Sequence, residues 1–375
     1  MDKNVGKVNT SGARQADDGK SLPIFVKYGI IALAIIVVIA IGLVIYFNIA
    51  GSYVAAVDGE KIGVGEFKYY LELEKQNMYT SALNVDPNLK EETFWNTKIG
   101  GEDPVEVAKK KVIDNMQVLK IQLLKAKESK ISLTSEELKT IDDGIKTQII
   151  DTMGSGNKIQ ANKQLQSEYG FTLDDLRKVQ IESYTVQKYQ SGEISKIKIA
   201  DEDIKKSYDA DPKSFDKVTV RHILFLFTGK DGKRTKEESK KLADDTLAKI
   251  KAGDDMAALA EKLSEDPGVT ENKGEYSVTK FDSYVPAFLD WAIKANVGDA
   301  AVVESADTQG YHVMKAEKRE SQAFDAVKEQ IRSQLVQEQF GKQYTAQVDG
   351  WKKDPKYNPK LTSVYDSIKI KLSSK

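Results

Sequence analysis

Two histidines occur in this chain, His222 and His312, and each lies in a run that reads as a strand. The first run is Val218-Thr219-Val220-Arg221-His222-Ile223-Leu224-Phe225, the second Gly310-Tyr311-His312-Val313-Met314. Both are β-branched and apolar with polar interruptions, the composition of strands. Paired strands could bring the two imidazoles together. The plainer alternative is two unrelated core histidines, each satisfied internally. A metal enzyme using both with Asp266 is a third reading. It lacks any His-x-x-x-His or Glu-x-x-His spacing and a second carboxylate in register, so no metal is expected. The absence of cysteine excludes thiolate nucleophiles, thiolate metal sites and disulfides. Taken alone, Asp266 before Pro267 is an ordinary turn or N-cap aspartate.

The elements around these residues divide the chain. Over 218–319 the sequence reads as a strand (218–227), a Gly/Lys-rich loop (228–235) and a helix (236–251) ending at Gly253. A second helix covers 255–264, a loop runs from Asp266-Pro267-Gly268 to Gly274, and a third helix falls near 286–295. Strands near 300–304 and 310–317 complete one compact α+β domain. Before it, residues 54–205 are mainly helical. Start signals stand at Asp103-Pro104-Val105-Glu106, Thr134-Ser135-Glu136-Glu137 and Thr172-Leu173-Asp174-Asp175. Residues 154–170 read as a loop or weak helix. Beyond the α+β domain, Phe324, Val327, Ile331, Leu335, Phe340, Tyr344, Val348 and Trp351 mark one long amphipathic helix. Its apolar stripe needs a partner, and the expectation is that 321–375 returns to the helical region, making 218–319 an insertion.

The chain carries 56 Lys and Arg against 57 Asp and Glu, so it has no electrostatic footprint for nucleic acid. Arginine is confined to Arg14, Arg177, Arg221, Arg234, Arg319 and Arg332, which disfavours a dedicated anion-binding enzyme. No charged residue falls between Tyr28 and Val57. A run of that length predicts a single transmembrane helix at 28–51. Lysines before it and Asp58 and Glu60 after it predict a cytoplasmic tail at 1–27 and an extracytoplasmic remainder.

Residues 218–319 resemble the parvulin-type peptidyl-prolyl isomerases. The likeness is carried by Val220-Arg221-His222-Ile223-Leu224, by Met256 to Leu263 with Ser264-Glu265-Asp266, and by Lys273-Gly274-Glu275-Tyr276. Tyr284-Val285-Pro286-Ala287-Phe288, Gly298-Asp299 and Gly310-Tyr311-His312-Val313 follow in order. The flanks, from Val54 to Tyr70 onward, resemble the helical chaperone module of PrsA-, SurA- and PpiD-like folding factors. Two departures stand out: Gly274-Glu275-Tyr276-Ser277 replaces the family's Gly-Asp-Leu-Gly, and Tyr284 stands at the usual Met.

The resemblance implies an α+β isomerase domain inserted in a helical chaperone module. It implies catalytic roles for His222, Asp266 and His312, with Tyr276, Tyr284 and Phe288 as the substrate pocket. Phe288 could equally be ordinary core. No cofactor is expected. The implied function is a membrane-anchored extracytoplasmic folding factor that isomerises X-Pro bonds and holds unfolded exported polypeptides. The alternative is a non-catalytic chaperone whose parvulin-like domain only binds polypeptide. Expected partners are newly exported proline-containing chains and the membrane; the reading admits a homodimer.

Overall fold

The computed structural model describes residues 53–370. These residues form two units. One takes the chain up to Val186 and again from Trp351; the other is Gln187–Gly350.

The first unit opens with strands β1 (Tyr53–Val57) and β2 (Glu60–Gly63), an antiparallel hairpin turning at Asp58-Gly59. Helix α1 (Val64–Leu83) follows, and Glu66 in its first turn accepts a hydrogen bond from the Gly63 N–H at 3.2 Å. After the short α2 (Glu91–Asn96), α3 (Pro104–Glu128) starts at Asp103, whose carboxylate accepts from the Val105 N–H at 2.8 Å. Thr134 and Glu137 cap α4 (Ser135–Ile145) reciprocally. Within 154–170, where the sequence reads as a loop or weak helix, α5 (Lys158–Glu168) forms. Asn157 caps it, and Ala161 and Leu165 are buried on its inner face. Helix α6 (Leu173–Lys196) then carries the chain towards the second unit.

Charge is also buried in this first unit. Lys120 on α3 lies 2.6 Å from Glu66 on α1 and 2.8 Å from Glu182 on α6, and Lys178 reaches Glu66 at 2.8 Å. Burial alone would raise Glu66, but Lys120 and Lys178 outweigh it and hold its carboxyl below the ordinary range. Burial, and next the Glu66 charge, push Glu182 up to about 7. Two carboxylates share one buried lysine, and Glu182 yields.

The second unit continues with α7 (Asp201–Ala210), a 3-10 turn at Pro212–Phe215, and strand β3 (Lys217–Leu226). Helix α8 (Lys236–Ala252) is capped by Thr235 and Glu238 and stops at Gly253 in the left-handed conformation. Then come α9 (Met256–Leu263), the short α10 (Val269–Asn272), β4 (Glu275–Val278), α11 (Pro286–Lys294), β5 (Ala300–Ser305) and β6 (Gly310–Glu320). The four strands form an antiparallel sheet in the order β4-β3-β6-β5. Alternation along β3 and β6 splits the core. Ile223, Phe225, Tyr311 and Val313 pack under α8 and α9, whereas Val218, Val220, Met314 and Ala316 pack under α11. Helix α12 (Phe324–Lys353) buries Val327 and Ile331 with Ile204 of α7 and Phe215.

The chain then returns to the first unit. Strand β7 (Lys360–Leu361) pairs with β1, and α13 (Ser363–Ser367) follows. Tyr357 and Ile368 join Phe67, Leu71, Val112 and Met116 in one core.

The fold class therefore needs one correction. It is α+β, but among the described residues no helix is long and apolar enough to cross a membrane. Even the 30-residue α12 carries charge along its length. The span expected at 28–51 lies outside the described residues.

Candidate functional site

Register decides where the histidines fall. His222 pairs with Met314 and His312 with Leu224, so the two imidazoles are diagonal neighbours on one face of the β3–β6 pair, beneath α11. Their rings are nearly parallel, 24° apart with centroids at 5.3 Å, and their Nδ1 atoms lie 3.1 Å apart. Both side chains are buried.

Asp266 reaches this pair because the segment after α9 runs along β3 as if it were another strand. The Leu224 N–H donates to Ser264 Oγ at 3.1 Å, and the Glu265 N–H donates to the Leu224 carbonyl at 2.8 Å. The Glu265 carboxylate accepts from the Leu226 N–H at 2.7 Å and pairs with Arg234. Asp266 Oδ2 then sits 2.8 Å from His222 Nε2. Its other oxygen accepts from the Gly268 N–H at 3.1 Å, and the Tyr276 hydroxyl donates to Oδ2 at 2.8 Å. The His222 hydrogen bond first, then Gly268 and Tyr276, hold this carboxyl far below its ordinary range despite partial burial.

An ionised Asp266 only accepts, so His222 Nε2 carries a proton. The two Nδ1 atoms face each other, so one ring donates to the other. His312 Nε2 in turn shares a hydrogen bond with Thr308 Oγ1, 3.0 Å away in the β5–β6 turn. Burial, and next the neighbouring His222, lower His312 to about 4, so it is neutral at physiological pH. Thr308, His312, His222 and Asp266 thus form one chain of hydrogen bonds.

Aromatic rings wall the space beside this chain. Phe288, buried on α11, meets His222 edge-on at 5.2 Å and His312 at 5.7 Å. Tyr284 lies 5.5 Å from Phe288, and Tyr276 lies 5.8 Å from Tyr284. They enclose a cavity of about 340 Å³ whose lining also includes Leu224, Asp266, Pro267, His222 and His312. All six residues expected at the site therefore meet around one cavity. Gly274 makes this approach feasible: its φ is +77°, and a Cβ there would fall 2.3 Å from the His222 carbonyl oxygen.

Sequence reasoning passed over Thr308, and it read Ser264-Glu265 as part of the family likeness without giving the pair a role. A threonine in Asp307-Thr308-Gln309-Gly310 reads as turn chemistry, and side chains that substitute for strand hydrogen bonds leave no periodic signal.

The sequence profile of the PPIC-type PPIase domain matches residues 203–320. These residues are a parvulin-type peptidyl-prolyl isomerase domain. The isomerase domain sits in a chain similar to foldase proteins over most of its length. The foldase protein PrsA of Caldanaerobacter subterraneus subsp. tengcongensis is 26% identical over 325 residues, covering 86% of this chain and 91% of that protein. The PrsA foldase of Clostridium botulinum strain Langeland is 28% identical over 320 residues, covering 82% and 88%. Among solved structures, the peptidylprolyl isomerase PrsA of Bacillus cereus is 25% identical, covering 74% of this chain and 93% of that one, with a TM-score of 0.33.

Proposed function

We propose that this foldase-like chain works on exported polypeptides. In this reading the isomerase domain turns X-Pro bonds at Asp266, and the helical unit holds unfolded segments. The observation that carries it is a carboxylate, Asp266, held by the His222, Tyr276 and Gly268 donors on the rim of a cavity walled by Phe288 and Tyr284.

The chemistry asks little of such a site. A prolyl bond has a barrier close to the 18–20 kcal/mol of ordinary amides, while its cis and trans forms are nearly balanced. No bond breaks, so neither nucleophile nor metal is required; the site must favour the twisted amide over both planar forms. Planarity rests on resonance that places negative charge on the carbonyl oxygen. A fixed carboxylate beside that oxygen disfavours the charge-separated form, and an apolar cavity removes the water that would stabilise it. Phe288 and Tyr284 would grip the pyrrolidine ring. His222 and His312 act through Asp266: they fix its position and its charge and transfer no proton.

Export is supported by the lysines before the apolar N-terminal run and the acids after it, a pattern that directs a chain to the secretory route whether or not the run is retained. Holding of clients is supported by the likeness of most of the chain to PrsA foldases.

The test is cis/trans isomerisation of a short proline peptide by wild type and by Asp266→Asn, with suppression of aggregation of an unfolded protein measured in parallel. Activity that falls in the variant while aggregation is still suppressed supports the reading. A wild type that suppresses aggregation without isomerising the peptide leaves a polypeptide-binding module in its place.

A further inference from the structure

We propose that Tyr276 is a positioning residue of the isomerase site, its hydroxyl locking the Asp266 carboxylate against the His222 side. This deepens the proposed function and rests on Asp266 facing the prolyl amide.

Two donors converge on one oxygen. The Tyr276 O–H and the His222 Nε2–H both reach Asp266 Oδ2 at 2.8 Å, while the Gly268 N–H takes Oδ1 at 3.1 Å. A carboxylate bound on both oxygens has lost its freedom to rotate about χ2 and keeps its charge without a lysine or arginine partner. Tyr276 remains a donor because burial, and next the carboxylate itself, raise its phenol.

The phenol is held in turn. Tyr276 stands on β4 opposite Val220, and its ring meets His222 edge-on at 5.1 Å and Phe288 at 6.0 Å. The backbone leaves room for its hydroxyl, since a Cβ on Gly268 would lie 2.9 Å from the Tyr276 oxygen. Gly268 has an ordinary φ of −79°, so its lack of a side chain serves space and not backbone conformation. The hydroxyl therefore has a dedicated seat. A residue that only walled the cavity would need the ring and not the oxygen.

The experiment uses the full chain with ¹⁵N-labelled histidine, whose two imidazoles give a simple spectrum, alongside peptide kinetics. In Tyr276→Phe the ring stays and the donor goes. The expected result is a kcat about tenfold lower, as for loss of one hydrogen bond to a charged group, with KM within about twofold. The His222 Nε2–H proton should also move downfield, because Oδ2 then serves a single donor. Gly268→Ala should reproduce the kcat loss with the phenol still present. An unchanged kcat in Tyr276→Phe overturns the assignment. So does a lower kcat with an unmoved His222 signal, which would mean that Tyr276 does not act through Asp266. Failure of wild type to isomerise the peptide overturns the function instead, and the imidazole signal still reports whether Tyr276 engages Asp266.

Discussion

His222 and His312 approach each other through the same atom, Nδ1 to Nδ1, at 3.1 Å. Like atoms can share a hydrogen bond only if one carries the proton and the other does not, so the two rings cannot be in the same protonation form at Nδ1. A second consequence is electrostatic. Burial first, and next the charge that a second protonated ring would set beside it, lower His312 to about 4.

The first prediction follows from that value. Between the ordinary histidine range near 6.5 and about 4, the unfolded chain binds a proton at His312 and the folded domain does not. Stability is then lost as pH falls through this window, by at most roughly 1.4 kcal/mol per pH unit. Urea unfolding of the isomerase domain at several pH values checks this, with a loss of slope expected in His312→Asn.

Glu182 gives the opposite sign in the other unit. Its carboxyl is raised to about 7, so the folded helices hold a proton that the unfolded chain releases above its ordinary value near 4.5. Stability from this group is complete below about 4.5 and declines as pH rises towards 7. Hydrogen exchange of the α1, α3 and α6 amides should speed up between pH 5 and 7 in wild type. Glu182→Gln, which keeps the shape and never ionises, should flatten that dependence.

Asp266→Asn should lower kcat/KM for a proline peptide by about ten- to a hundredfold, the scale of one electrostatic group at a reacting centre. The thermal midpoint should fall as well, since the single amide oxygen can replace only one of the two carboxylate oxygens and sets an NH2 group against the donor on the other side, so rates are compared where both proteins are folded. A variant as active as wild type would remove Asp266 from the mechanism.

Gly274→Ala should destabilise the isomerase domain by about 2–4 kcal/mol. The added methyl meets the His222 carbonyl at 2.3 Å, and the left-handed φ of +77° strains any side chain. Denaturant midpoints of wild type and variant measure this; near-equal midpoints would mean that β3 and β4 can part without penalty.

Much of the site was legible because its residues are rare or conspicuous. Two histidines in two strand-like runs need only an antiparallel register to meet, and Phe288 after Val285-Pro286 opens a helix in the expected place. Asp266 was legible through the family likeness alone, since before Pro267 it reads as a turn residue. What places it, the pairing of Ser264 and Glu265 with the β3 backbone, follows no periodicity. The Glu66–Lys120–Glu182 cluster was equally hidden. Its members stand more than fifty positions apart and look like ordinary surface charges until α1, α3 and α6 pack. Helix α5 was underestimated because Gln, Asn and Ser dilute its apolar signal, while two buried residues and an asparagine cap suffice to hold it.

The first unit is written at both ends of the sequence. Thr362 bonds back to the carbonyls of Tyr53 and Val54, and Gln117 donates to the carbonyl of Tyr357 at 3.0 Å. A chain that emerges in order cannot close this core until Tyr357 to Ile368 have emerged. By then residues 203–320 are already out and free to fold. The isomerase domain can thus be complete while the unit that flanks it in sequence still waits for its final strand and core residues.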